Sequence, residues 1–143
     1  MRKTLFAAVV FVLVLVAYLL RTAPSTPAGH TTVAQSGSSS VSTAFENHSS
    51  GVEVQGEGTV AAILPDDSEG SSHQRFLVRL DSGRTVLITH NIDLAPRLAP
   101  LGIGDRVAFR GQYVWNPKGG LIHWTHGDPA GHHEAGWLKR LPK

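Results

Sequence analysis

Residues 73–90 read HQRFLVRLDSGRTVLITH, and the alternation of apolar with polar side chains on both sides of Asp81-Ser82-Gly83 specifies a β-hairpin. Its register follows from the faces. A two-residue loop would set Phe76 against Thr89 and Val78 against Leu87, mixing apolar and polar positions. A three-residue loop, with Gly83 left-handed in a bulge, sets Phe76 against Ile88 and Val78 against Val86, which gathers the apolar side chains on one face. The second register is therefore expected. It places His90 on the core-facing parity and His73 on the opposite face with Arg75 and Arg79, so these two histidines do not converge.

Three more strands are expected around this hairpin. In VEVQGEGTVAAIL (52–64), Val52, Val54, Val60, Ala62 and Leu64 share a parity with Gly56 and Gly58, as suits a sharply bent strand lining a small barrel. DRVAFRGQYVW (105–115) puts Val107, Phe109, Tyr113 and Trp115 on one face, and LIHWTH (121–126) follows the turn NPKGG. Between the hairpin and the fourth strand, Pro96 and Pro100 break NIDLAPRLAPLGIG into a short connector. Three strands, a connector and two further strands are the order of a small five-stranded OB-like Greek-key barrel, an all-β fold. An SH3-like barrel is the nearest competitor.

The N-terminus carries a different signal. Arg2 and Lys3 precede the uncharged apolar run Leu5–Leu20, the pattern of an export signal. The run is somewhat shorter than the roughly 20 residues of a spanning helix. Residues 1–21 therefore read as a signal peptide or a signal-anchor helix, with membrane contact through that apolar segment. The chain is exported: anchored in the inner membrane facing the periplasm, or periplasmic or secreted if the signal is cleaved. Residues 22–51, rich in Ser, Thr, Pro and Gly, are expected to be a flexible, disordered linker, leaving residues 52–143 as the barrel domain. With no cysteine, that domain relies on its core alone in an oxidising compartment. Three of the 13 Lys and Arg residues flank the apolar run, and one of the 11 acids lies in the linker. The barrel segment is thus formally neutral and lacks the basic footprint of a nucleic-acid binder.

Several blocks, namely HQRFLVRL, THNIDLAPR, GQYVWNPKGGLIHWTH, DP and the final GW, resemble a family of small exported bacterial proteins, domain of unknown function 3465. The likeness runs from about Val54 to Lys139. It implies a compact β domain behind an export signal, and it implies no particular activity. In that family's pattern a further histidine often follows the HWTH block, where this chain has Gly127.

The chemistry-bearing residues concentrate in GGLIHWTHGDPAGHHEAGW (119–137). His123 and His126 are three apart, so a regular strand sends them to opposite faces unless it ends early or bulges. One reading is a polar ligand site drawing on His90, Trp115, His123 and Trp124. Another is a divalent-metal centre, zinc-like, with His126, Asp128 and His133 as ligands, His132 replacing His133 or His123 or His90 as a fourth. A third is purely structural, with histidines capping turns around Trp124 and Trp137. No nucleophile elbow accompanies them, and the acidic turn DDSEG lacks the calcium-loop rhythm, so no catalytic residue is assigned. The function expected is a non-catalytic module binding an envelope ligand. A small metal-dependent hydrolase is the alternative, and a single-strand nucleic-acid binder the third choice.

Overall fold

A computed structural model describes residues 37–143, so the apolar run and the signal or anchor expected there lie outside the described residues. Among the described residues no helix is long and apolar enough to cross a membrane. The described residues form one helix and six strands: α1 (Gly37–Glu46), β1 (Val52–Asp67), β2 (His73–Leu80), β3 (Thr85–Asn91), β4 (Arg106–Val114), β5 (Leu121–His123) and β6 (Trp137–Arg140).

The strands pair in the order β1-β2-β3-β5-β4-β6, and a further β1–β4 pairing closes the first five into a ring. The hairpin register is the expected one, with Phe76 opposite Ile88 and Val78 opposite Val86. The β3–β5 pair is parallel, with Leu87 and Ile88 of β3 beside Leu121 and Ile122 of β5. The fold is therefore the OB-like barrel that the strand order implied.

Closure depends on β1, which serves two neighbours at once. Gly58 sits opposite Leu80 of β2 and Val107 of β4, and a bulge between Val60 and Ala62 bends the strand around the ring. A Cβ at Gly58 would overlap the Arg79 carbonyl oxygen and lie 2.6 Å from Val78 Cγ1, so only glycine permits the bend. Inside the ring, Val54, Val60, Phe76, Val78, Val86, Ile88, Val107, Phe109, Tyr113 and Ile122 are buried. Tyr113 donates its hydroxyl to the Gly119 carbonyl at 3.1 Å, and Gly120 lies flat against its ring.

The serine-rich segment corrects an expectation. Residues 37–46, assigned by composition to a disordered linker, form α1 and pack on the barrel. Val41, Ala44 and Phe45 fall at helical spacing and make one apolar stripe; Val41 and Ala44 join the buried core, and Phe45 packs against it. Phe45 also receives the Arg84 guanidinium at 3.8 Å and faces Trp115. The helix ends in a turn with His48 left-handed (φ 50°), whose ring rests 4.4 Å from that of Trp115. Val41→Ala removes two buried methyl groups at about 0.8 kcal/mol each, so thermal unfolding should show a loss of about 1.5 kcal/mol. A segment that is a free linker would show none.

Candidate functional site

β5 and β6 occupy the same side of β4, and together they form one interrupted strand. His123 pairs with Gln112, and the pairing resumes two residues along β4 with Trp137 opposite Arg110. Residues 124–136 leave the sheet between these points and return. Trp124 makes the exit possible: it is left-handed (φ 53°), a conformation that costs a non-glycine residue roughly 1–2 kcal/mol. The strand therefore stops at His123, and the period-two rule no longer separates it from His126.

Two glycines hold the neck of this excursion. A Cβ on Gly136 would overlap the Trp124 carbonyl oxygen and lie 2.6 Å from that of Arg110; one on Gly111 would overlap the His123 carbonyl oxygen. Gly136 also donates its N–H to the His126 carbonyl at 2.9 Å. Beyond the neck, the Asp128 carboxylate accepts the backbone N–H groups of Ala130, His132 and His133. Partial burial alone would raise the carboxyl's pKa, but these three donors outweigh it, and Asp128 is held below the usual aspartate range. The carboxylate organises the loop from within.

Against the outer face of β2, β3 and β5 the excursion encloses a pocket of about 480 Å³. His73, Thr89 and Asn91 form its floor with His123, while Trp124, His126, His132 and His133 come from the loop or its root. Trp124 stacks against two imidazoles, His123 at 4.6 Å and His133 at 4.5 Å between centroids, and the His126 ring stands nearly perpendicular to His133 at 5.1 Å. The hydrogen bonds fix the tautomers. His73, His126 and His133 each donate Nδ1–H to a backbone carbonyl, of Ser71 at 2.8 Å, Gly127 at 2.8 Å and Glu134 at 2.7 Å. Their Nε2 atoms are thereby left as lone-pair acceptors. His123 has the opposite tautomer, donating Nε2–H to Gln112 Oε1 at 3.1 Å.

A family model described as "Protein of unknown function (DUF3465)" matches residues 26–143. The chain belongs to this family. The match takes in α1, the barrel and the excursion, and no curated protein matches the chain. In this DUF3465 domain the residues singled out from sequence separate into three groups. His123, Trp124, His126 and His133 come together at the pocket. Asp128 lines it with its carboxylate already engaged, and among the described residues no three His, Asp or Glu side chains are placed to share a metal ion. His90 and Trp115 are elsewhere: His90 is buried beneath the pocket, and Trp115 packs at α1 with Phe45 and His48. The 116–120 turn that precedes β5 lies against Thr85 and Tyr113. His132, expected as a substitute for His133, also lines the pocket, and His73, Thr89 and Asn91 enter it without having been expected there.

His90 holds the loop from inside. Its Nε2–H donates to the Pro96 carbonyl at 3.1 Å, so Nδ1 accepts the hydroxyl of the buried Thr125 at 2.8 Å. Burial lowers its pKa; the Pro96 hydrogen bond opposes that, and His126 and His73 reinforce it. His123 is lowered too, first by burial and then by His133, His73 and His126. Both groups bind a proton less readily folded than unfolded. Stability is therefore complete above the ordinary histidine range and falls as pH drops through about 6.5 toward the lowered folded values. Melting temperatures measured from pH 8 to pH 5 should decline in that window, and His90→Gln should flatten the decline. A profile unchanged by that substitution would contradict the assignment.

Proposed function

We propose that this DUF3465 domain is a non-catalytic binding module of the cell envelope, and that its ligand occupies the pocket between the β2–β3–β5 face and residues 124–136. The observation that carries the reading is the convergence of five histidines on that pocket, three with Nδ1 anchored to backbone and Nε2 open. A left-handed tryptophan stacked against two of the rings supports it, because local backbone strain of this kind concentrates at functional sites. The Asp128 carboxylate is occupied by backbone donors, which suits holding a loop better than activating water. The basic residues and apolar run at the N-terminus support an extracytoplasmic location, tethered or released.

The test is a nuclear magnetic resonance screen of the chain against small polar metabolites: sugars, amino acids, organic acids and nucleotides. Shifts should be confined to His73, Asn91 and residues 123–133, and Trp124→Ala should abolish them. Shifts scattered over the barrel, or turnover of a compound in the mixture, would overturn the reading.

A further inference from the structure

We propose that the pocket takes a late first-row divalent transition-metal ion, Zn(II) or Cu(II), through the Nε2 atoms of His126 and His133. This rests on the binding-module reading and names its ligand.

Both imidazoles donate Nδ1–H to a main-chain carbonyl, at 2.8 Å and 2.7 Å. That second hydrogen bond is the usual companion of a metal-ligating histidine: it fixes the tautomer, orients the ring and raises the basicity of the other nitrogen. The spacing also fits. Two imidazoles bound to one ion at about 2.0–2.1 Å across a near-tetrahedral angle have their centroids about 5 Å apart. Here the separation is 5.1 Å with the planes 84° apart. Neither ring is loosely held, since His133 is stacked on Trp124 and His126 sits beside the pinched neck at Gly136.

The third ligand is not in place among the described residues. His132 is the group positioned to supply it: its side chain is 81 % exposed, it neighbours His133, and its imidazole lies 3.6 Å from Asp128. Rotation of that side chain on binding completes three nitrogens and leaves a fourth position to water. Asp128 is excluded as the third ligand because His133, Ala130 and His132 already donate to it. An all-imidazole set, in a chain without cysteine, selects Zn(II) or Cu(II) over Mg(II) and Ca(II), which require oxygen ligands.

The experiment is calorimetric titration of Zn(II), Cu(II) and Mg(II) into the untagged full chain. Cu(II) should bind most tightly, Zn(II) next, and Mg(II) not at all. His126→Gln with His133→Gln should weaken Zn(II) and Cu(II) by more than about tenfold, since even second-shell changes cost that much. His132→Gln tests the same site at an exposed position where folding is not at stake, and it should also weaken binding. His48→Asn, at the α1 end, should change nothing. Equal affinity in the wild type and the double variant, or an unaffected His132→Gln, overturns the proposal. If metal fails while metabolites still shift the pocket, the ion is wrong and the module reading stands; if neither binds, both fall.

Discussion

Gly58→Val is expected to be the most damaging single substitution in the barrel, with a loss of at least about 3 kcal/mol, the upper end for overpacking a core. In a domain of this size that corresponds to a fall in melting temperature of more than about 10 °C. The cause is not helix or strand propensity but a coincidence of neighbours. Gly58, like Thr59 after it, is paired on both sides, here to β2 through Leu80 and to β4 through Val107. A side chain there would meet the Arg79 carbonyl, which is backbone and cannot rotate away, and Val78, which is fully buried. Relief requires opening the β1–β2 or the β1–β4 pairing, and either opens the ring. Gly56→Ala, one step earlier on the same face, is the comparison to run beside it. Thermal unfolding and the near-ultraviolet signal of Tyr113 would report the loss. A Gly58→Val protein that melts within a few degrees of the wild type would mean that the ring does not depend on this approach.

That glycine was legible in the sequence because it sits on an otherwise apolar parity, where a missing side chain has a geometric meaning. The hairpin register was legible for the same reason: one wrong register would expose Phe76 or Val78. What escaped was information without a period. The sequence SGSSSVSTAFE carries only one buried stripe, at Val41, Ala44 and Phe45, and its serines dominate any compositional reading. The early end of β5 has no residue signature, since tryptophan is not a type that favours a left-handed backbone. Consequently the site was assigned along a continuous strand to His126, whereas the chain leaves the sheet at Trp124. His73 was correctly separated from His90 by parity. That parity also places it on the outer face with His123, and combining the two strands would have brought it into the pocket.

Gly136→Ala should separate the site from the barrel. The added methyl group would overlap the Trp124 carbonyl and press on that of Arg110, so the neck of the excursion cannot stay closed. The overpacking cost is about 1–3 kcal/mol, but its distribution is the informative quantity. β6 holds to β4 by four residue pairs from Val107–Arg140 to Arg110–Trp137, with Leu138 on the core. The five-stranded ring does not include β6 and keeps its own pairings. Hydrogen exchange should therefore quicken at Gly136 and along Trp137–Arg140, while Phe76, Val78 and Ile88 retain their protection. Protease cleavage should appear within 124–136, and binding at the pocket should be lost even where the barrel remains folded, because His126 and His133 would no longer be held in place. The ion pair from Arg110 to Glu134 at 2.7 Å joins the same region and is exposed, so it cannot compensate. A variant with uniform loss of protection would instead make the excursion part of the barrel's cooperative unit, and the site could then not be altered without altering the fold.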